Sequence, residues 1–193
     1  TSIMGLLLDR FLVLSAHEKE LMNFVSSHYP LNLEYSEVVD KALDSFSYSL
    51  DEAESVNHLT PYHLSFLVPY FSAIKAKGQF FTPSYLADYL ASQIIDLYIH
   101  SFGNNDEKSK ETNLHTLTFA DIACGTGNLL IALLTHLRYF FLSRKHEEDF
   151  LNFVNSNIYG FELDPLPLFI SKLRVLLFFD HFFPLLPLPD ISK

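Results

Sequence analysis

Glycine, cysteine and basic side chains are all scarce in this chain of 193 residues. The one cysteine, Cys124, excludes an internal disulfide and is typical of a protein in a reducing cytoplasm. Lys and Arg number 13 against 23 Asp and Glu. The resulting net charge of −10 argues against nucleic-acid binding by the chain as a whole, because phosphate contacts need clustered cations. With 6 glycines against 19 phenylalanines, the composition favours a helix-rich protein.

Long uninterrupted apolar runs are also lacking. Asp9 and Arg10 interrupt the amino-terminal run IMGLLLDRFLVL. Asp180, His181 and Pro184 interrupt the carboxyl-terminal run LLFFDHFFPLLPLP. Neither run is long enough to span a bilayer, and the first has no basic leader of the kind that signal peptides carry. We therefore expect no membrane association and a cytoplasmic location.

Apolar side chains make up 49% of the chain, enough for the core of one domain or slightly more. Apolar residues recur at helical spacing in four segments near the amino terminus: 6–14, 18–24, 37–46 and 60–76. The sequence thus predicts a helical region over 1–75 and a second domain over 76–193. His58 and His63 lie in the helical region, but no second pair of Cys or His accompanies them, so no metal site is expected.

The most informative stretch is LTFADIACGTGNLLIALL, which spans residues 117–134. An apolar run ends at Asp121, small residues follow, and apolar residues then recur at helical spacing, which predicts a strand, a tight turn and a helix. Gly125 and Gly127 permit positive φ and carry no Cβ, so a ligand can approach the backbone near the free N–H groups of the helix. Asp121 is expected to face the same crevice, where open α/β sheets bind ligands.

This turn differs from two common nucleotide-binding loops. A dinucleotide loop has a third small residue, but Leu130 takes that position here, so the close helix-to-strand packing that this small residue permits is not expected. A P-loop has a lysine that this turn lacks. Nucleoside phosphates are therefore poor candidates, whereas Asp121 can pair with the ammonium group of an amino acid, as in S-adenosylmethionine. A plain structural turn fits the two glycines equally well.

A second strand is predicted over residues 157–163, after a short helix at 150–154. The strand ends in Glu162, and a carboxylate in that position can accept hydrogen bonds from both hydroxyls of a ribose. Asp164 then precedes a helix predicted over 166–179, and it fits a helix cap as well as a ligand.

The segment GQFFTP, residues 78–83, predicts the start of another helix. Thr82 can cap this helix and Pro83 suits its first position. We expect the helix to run to about Ser101 and to bury one apolar stripe. The stripe consists of Leu86, Leu90, Ile94, Ile95 and Leu97.

Three of these segments carry a family resemblance: GQFFTP at 78–83, DIACGTGNLL at 121–130 and YGFELDP at 159–165. In this order they resemble motifs of DNA adenine methyltransferases, particularly the modification subunits of type I restriction systems. The resemblance covers about 75–177, with Ile122 in place of the usual proline. It implies an α/β fold, namely an incomplete Rossmann-like S-adenosylmethionine methyltransferase domain preceded by an all-helical region.

The resemblance also implies which residues bind the cofactor S-adenosylmethionine. Thr82 and the ring of Phe80 or Phe81 would contact its methionine end. Cys124 is expected to be a small turn residue and not a nucleophile. The full implied set is Phe80, Phe81, Thr82, Asp121, Ala123, Cys124, Gly125, Gly127 and Glu162.

One motif of these enzymes is missing. They hold the flipped adenine with an Asn-Pro-Pro-aromatic motif after the fourth strand, and no Pro-Pro pair occurs in this chain. No catalytic residue is therefore expected here, and the chain is expected to be the amino-terminal portion of a methyltransferase that is inactive alone. DNA would bind through the remainder of the parent enzyme or a specificity subunit. Exposed strand edges would favour a homodimer or other association.

Two alternatives stay open. One is a non-catalytic helical interaction module with a vestigial cofactor fold. The other is a nucleotide-dependent oxidoreductase domain, and the missing third glycine speaks against it. Cofactor binding would separate the first alternative from the methyltransferase.

Overall fold

The computed structural model describes residues 17–28, 81–102, 117–142 and 147–192. These residues form helices and a two-stranded parallel sheet. In chain order the elements are α1 (Glu18–His28), α2 (Ser84–Phe102), β1 (Phe119–Asp121), α3 (Asn128–Leu142), α4 (Glu147–Asn157), β2 (Ile158–Gly160) and α5 (Pro165–Phe182). The helices predicted over 6–14, 37–46 and 60–76 lie outside the described residues, as do His58, His63 and Phe80.

The chain divides into two compact units. One contains Thr1–Phe80 and Lys172–Leu188, and the other contains Phe81–Ser171 and Pro189–Lys193. The predicted division into 1–75 and 76–193 stays a prediction.

In the first unit, α1 confirms the helix predicted from residue 18. Its buried side chains are Leu21, Phe24 and Val25, at the spacing of one helix face. The carboxylate of Asp180 accepts a hydrogen bond from the backbone N–H of His17 at 2.8 Å and lies 3.0 Å from the Nδ1 of the same residue. Asp180 therefore anchors the residue that precedes α1.

The second unit contains the sheet. β1 and β2 pair in parallel, with Phe119 opposite Ile158 and Asp121 opposite Gly160. Beyond the strands the ladder continues, because the N–H of Phe161 donates to the carbonyl of Asp121 at 2.8 Å. The predicted strand at 157–163 is confirmed in position but is shorter, since Asn157 still belongs to α4.

Helix α4 fills the connection between α3 and β2 and is longer than the predicted 150–154. Its aromatic side chains join those of β1 and α3. Phe141 lies 5.3 Å from Phe150 and 5.4 Å from Phe153, and Phe119 meets Phe153 edge to face at 6.3 Å, all between ring centroids. These contacts hold both helices close to the first strand.

The close packing that the third small residue of a dinucleotide loop permits is predicted to be missing here, and the structure has the larger Leu130 at that position with its side chain against β2. A Cβ added to Gly160 would lie 2.9 Å from Cδ1 of Leu130. The small residue that permits close approach is thus in β2 instead of in the helix. Leu130, at the position where a dinucleotide loop has its third small residue, is itself buried.

The prediction of which α2 residues are buried is wrong except at Ile95. The buried face consists of Ala87, Ala91 and Ile95, whereas Leu86, Leu90, Ile94 and Leu97 are exposed. Helix α2 packs against α3, and alanines at such a contact allow two helices to approach closely. A side-chain contact of 2.9 Å between Nε2 of His136 and the carboxylate of Asp88 joins the same two helices.

Helix α5 begins at Pro165, one residue before the predicted start, and ends at Phe182, three residues after the predicted end. An oxygen of the Asp164 side chain accepts the N–H of Leu166 at 3.2 Å, and its carbonyl accepts the N–H of Leu168. Both bonds are those of a helix N-cap, so the capping role of Asp164 is confirmed. Across the ranges that the structure describes, no helix is both long and apolar enough to cross a membrane.

Candidate functional site

The carboxyl ends of the two parallel strands and the turn before α3 form the candidate site. Asp121 is the last residue of β1, and Glu162 lies two residues beyond β2. In a parallel sheet both strands end at the same edge, so the two carboxylates lie on the side where such sheets bind ligands.

Backbone hydrogen bonds shape the turn between β1 and α3. The side chain of Asp121 accepts the N–H of Ala123 at 3.2 Å, and the carbonyl of Cys124 accepts the N–H of Gly127 at 2.8 Å. Gly125 has φ of 53° and Gly127 has φ of 82°. Both angles lie in the left-handed region, where other residues are strained, so the glycines are needed for the turn itself.

Protein side chains occupy the space that the two glycines leave. A Cβ on Gly125 would lie 3.2 Å from the ring of Phe81, and a Cβ on Gly127 would lie 2.5 Å from Oγ of Ser171. The sequence predicts that a ligand can approach the backbone at these glycines. In the structure the ring of Phe81 lies against Gly125, and Ser171 of α5 lies against Gly127. Ser171 is buried in α5 and has no local sequence signal, so it was not predicted.

Glu162 connects the second strand to the glycine turn. One of its carboxylate oxygens accepts the N–H of Gly125 at 3.0 Å, and the other accepts the N–H of Asp164 at 2.9 Å. A carboxylate offers about four acceptor positions, and these two bonds use two of them. Glu162 therefore orients the turn and keeps the capacity to accept two further donors.

Thr82 joins the site through its backbone. The side-chain amide of Asn128 donates to the carbonyl of Thr82 at 2.7 Å, which holds the segment before α2 beside the first residue of α3. The carbonyl of Pro83 accepts the N–H groups of Leu86 and Ala87, both at 3.0 Å, so the cap of α2 falls one residue after the predicted Thr82.

Cys124 is buried at the centre of the turn. Burial raises the pKa of its thiol from the ordinary 9.0 to about 11. A hydrogen bond with Ser171 opposes this rise in pKa, while the negative charges of Asp121 and Glu162 add to it. At neutral pH the thiol is protonated and is a poor nucleophile, which supports its interpretation as a small turn residue.

Exposed apolar side chains precede or follow the two acidic residues in the sequence. Ile122 is 83% exposed, and Phe161 and Leu163 are also exposed. Three large apolar side chains next to two acidic residues make a surface with both polar and apolar parts, as ligand sites usually have.

The structure brings together most of the predicted site residues. The ring of Phe81 and the carboxylate of Glu162 both contact Gly125, and the side chain of Asp121 contacts Ala123 in the same turn. Thr82 is linked through Asn128, a residue that the sequence did not single out. Phe80 lies outside the described residues. Among the described side chains, no three His, Cys, Asp or Glu residues cluster in a way that could hold a metal ion.

Comparison of the chain with protein-family models, with curated proteins and with solved structures gave no match.

Proposed function

We propose that the carboxyl ends of β1 and β2 form part of an S-adenosylmethionine site in a Rossmann-like domain of the kind found in DNA adenine methyltransferases. The observation that carries this proposal is the meeting of Phe81, Gly125 and Glu162, which come from three separate segments of the chain. Phe81 lies 3.2 Å from the Cβ position of Gly125, and Glu162 accepts its N–H at 3.0 Å.

The charges of the site support this ligand class. Asp121 and Glu162 place two carboxylates beside the turn, and carboxylates disfavour a phosphate but suit an ammonium group and neutral hydroxyls. S-adenosylmethionine carries an ammonium group, a sulfonium and a ribose diol, without any phosphate. The two acceptor positions left on Glu162 match the two hydroxyls of that diol.

The apolar residues of the site suit the adenine ring. Leu163 directly follows Glu162 and its side chain is fully exposed. If Glu162 binds the ribose, the attached adenine has an apolar surface at the next residue. Covering that side chain and the ring together would remove apolar area from water, which stabilises the complex.

The proposed reaction is transfer of the cofactor methyl group to the exocyclic amine of adenine in DNA. When bound, S-adenosylmethionine supplies the methyl group as an electrophile. Residues of this chain would hold and orient the cofactor, while the groups that accept hydrogens from the flipped base would come from the remainder of the parent enzyme or a partner subunit, because no Pro-Pro pair occurs here.

Calorimetric titration with S-adenosylmethionine tests the proposal. Glu162→Ala should weaken binding at least about tenfold, since it removes charge-assisted hydrogen bonds of roughly 1.5 to 3 kcal/mol each. Glu148→Gln, in the exposed first turn of α4, is the control and should bind like wild type. Equal affinity of wild type and Glu162→Ala would remove the ribose assignment, and Asp164 would be the next residue to test. No binding to wild type would favour the helical interaction module instead.

A further inference from the structure

A side-chain hydrogen bond links the segment before α2 to the start of α3. The amide of Asn128 donates to the carbonyl of Thr82 at 2.7 Å across 46 residues of sequence. Phe81, the residue before Thr82, places its ring 3.2 Å from the Cβ position of Gly125. The bond therefore ends one residue away from the ring that covers the glycine turn.

We propose that Asn128 is a positioning residue, which holds the ring of Phe81 over Gly125 and so sets the affinity of the site for the amino-acid arm of the cofactor. This proposal rests on the proposed function. Since Glu162 binds the N–H of Gly125 and is assigned to the ribose, the ring of Phe81, which lies at the Cβ position of Gly125, is left for the sulfonium and the amino acid. An aromatic face attracts a cation such as sulfonium when it is held close to it.

The position of the ring depends on Asn128 because the backbone that carries the ring is exposed to solvent where Asn128 binds it. Phe81 is half-buried and Thr82 and Pro83 are exposed, while α2 itself begins only at Ser84. Asn128, in contrast, belongs to α3, which is anchored by buried residues such as Ile131 and Leu134. The amide thus ties a solvent-exposed segment to a well-packed helix.

Two probes separate the amino-acid arm from the nucleoside. S-adenosylmethionine reports on the whole site, and adenosine, which lacks the amino acid and the sulfonium, reports on the Glu162 side alone. Asn128→Ala should bind S-adenosylmethionine roughly two- to tenfold more weakly, the range expected for one net hydrogen bond. Its affinity for adenosine should stay within about twofold of wild type, since Glu162 is untouched.

Two further variants control for loss of structure. Asn128→Asp keeps the size of the side chain and suits a helix N-terminus. Its carboxylate, however, places an acceptor opposite the carbonyl of Thr82, which is itself an acceptor. Asn128→Asp should therefore lose more affinity for S-adenosylmethionine than Asn128→Ala. Asn152→Ala removes an exposed amide from α4 and should change neither affinity. Equal losses for both probes, or no loss for S-adenosylmethionine, would overturn the proposal.

Hydrogen exchange distinguishes failure of this proposal from failure of the proposed function. The N–H groups of Leu86 and Ala87 bond to the carbonyl of Pro83 in the first turn of α2. In the free protein, Asn128→Ala should speed their exchange, because Pro83 follows the residue that Asn128 holds. If wild type binds neither probe, the cofactor assignment is wrong, and faster exchange would still support the link between Asn128 and the segment. Unchanged exchange would overturn that link.

Discussion

At the scale of single residues, the two glycines of the turn have different neighbours, so they differ in how well they tolerate substitution by a residue with a side chain. Gly125 has φ of 53°, near the ordinary left-handed conformation, and its neighbour is the edge of the movable Phe81 ring. Gly127 has φ of 82°, and its neighbours are the hydroxyl, Cβ and Cα of Ser171 in α5. The second position is thus more constrained than the first.

Gly127→Ala should destabilise the protein by roughly 2 to 5 kcal/mol, the sum of left-handed strain and overpacking. Gly125→Ala should cost only about 1 to 2 kcal/mol, because the Phe81 ring can shift. Urea denaturation measures both. Adding Ser171→Ala to Gly127→Ala should recover part of the loss, since it removes the oxygen that lies 2.5 Å from the new Cβ. A double variant no more stable than Gly127→Ala would show that Ser171 is not the obstacle.

The thiol of Cys124 should be almost inert in the folded protein. A pKa of about 11 instead of 9.0 lowers the thiolate fraction about a hundredfold near pH 8. Its reaction with a thiol reagent should therefore be at least about a hundredfold slower than in urea-unfolded chain, where the same cysteine is the only one. Equal rates would contradict the buried position.

The same shift in pKa predicts how stability depends on pH. Below pH 9.0 the thiol is neutral in both states and contributes no pH dependence. Between 9.0 and about 11 the unfolded chain loses the proton while the folded chain keeps it, so the contribution of Cys124 to stability falls as pH rises. Cys124→Ser should reduce this alkaline loss, as followed by denaturation at pH 8 and pH 10.

At the scale of elements, the places where helices begin in the sequence were easier to predict than the faces that they bury. The starts of α3 and α5 follow from local signals, the glycine turn and the Asp164 cap, and both are confirmed. The buried face of α2 does not follow from such signals, because apolar residues occur on several sides of this helix. The packing partner α3 decides the face, and it selects the smaller Ala87 and Ala91 over the leucines.

Two substitutions in α2 test this corrected orientation. Ala91→Leu inserts three carbon atoms into a buried contact and should destabilise the protein by about 1 to 3 kcal/mol. Leu97→Ala, at a side chain that is 70% exposed, should change stability by less than about 0.5 kcal/mol. Chemical denaturation of both variants gives the comparison. A larger loss of stability in Leu97→Ala than in Ala91→Leu would instead support the orientation expected from the sequence.

At the scale of the whole molecule, the sequence predicted two parallel strands with Asp121 and Glu162 at their carboxyl ends. These follow from a strand, helix and strand in succession, whose strand ends share one edge. The contacts of Ser171 and Asn128 could not be predicted in this way. Each joins residues at least 44 positions apart through a single side chain, without any periodic pattern in the sequence. The methyltransferase assignment and the predicted division into domains stay predictions.

Association between copies of the chain should increase with salt concentration. Among the described strands, β1 and β2 each pair with one neighbour only, and Leu97 and Leu163 are exposed apolar side chains. Such edges and side chains favour contacts between copies, but a net charge of −10 opposes them. Because the Debye length falls from about 30 Å at 0.01 M to about 3 Å at 1 M salt, screening should raise the dimer or aggregate fraction seen by light scattering.

Leu97→Glu should lower that fraction if α2 takes part and leave it unchanged if the strand edges act alone. A monomer throughout the salt series at high protein concentration would contradict both routes.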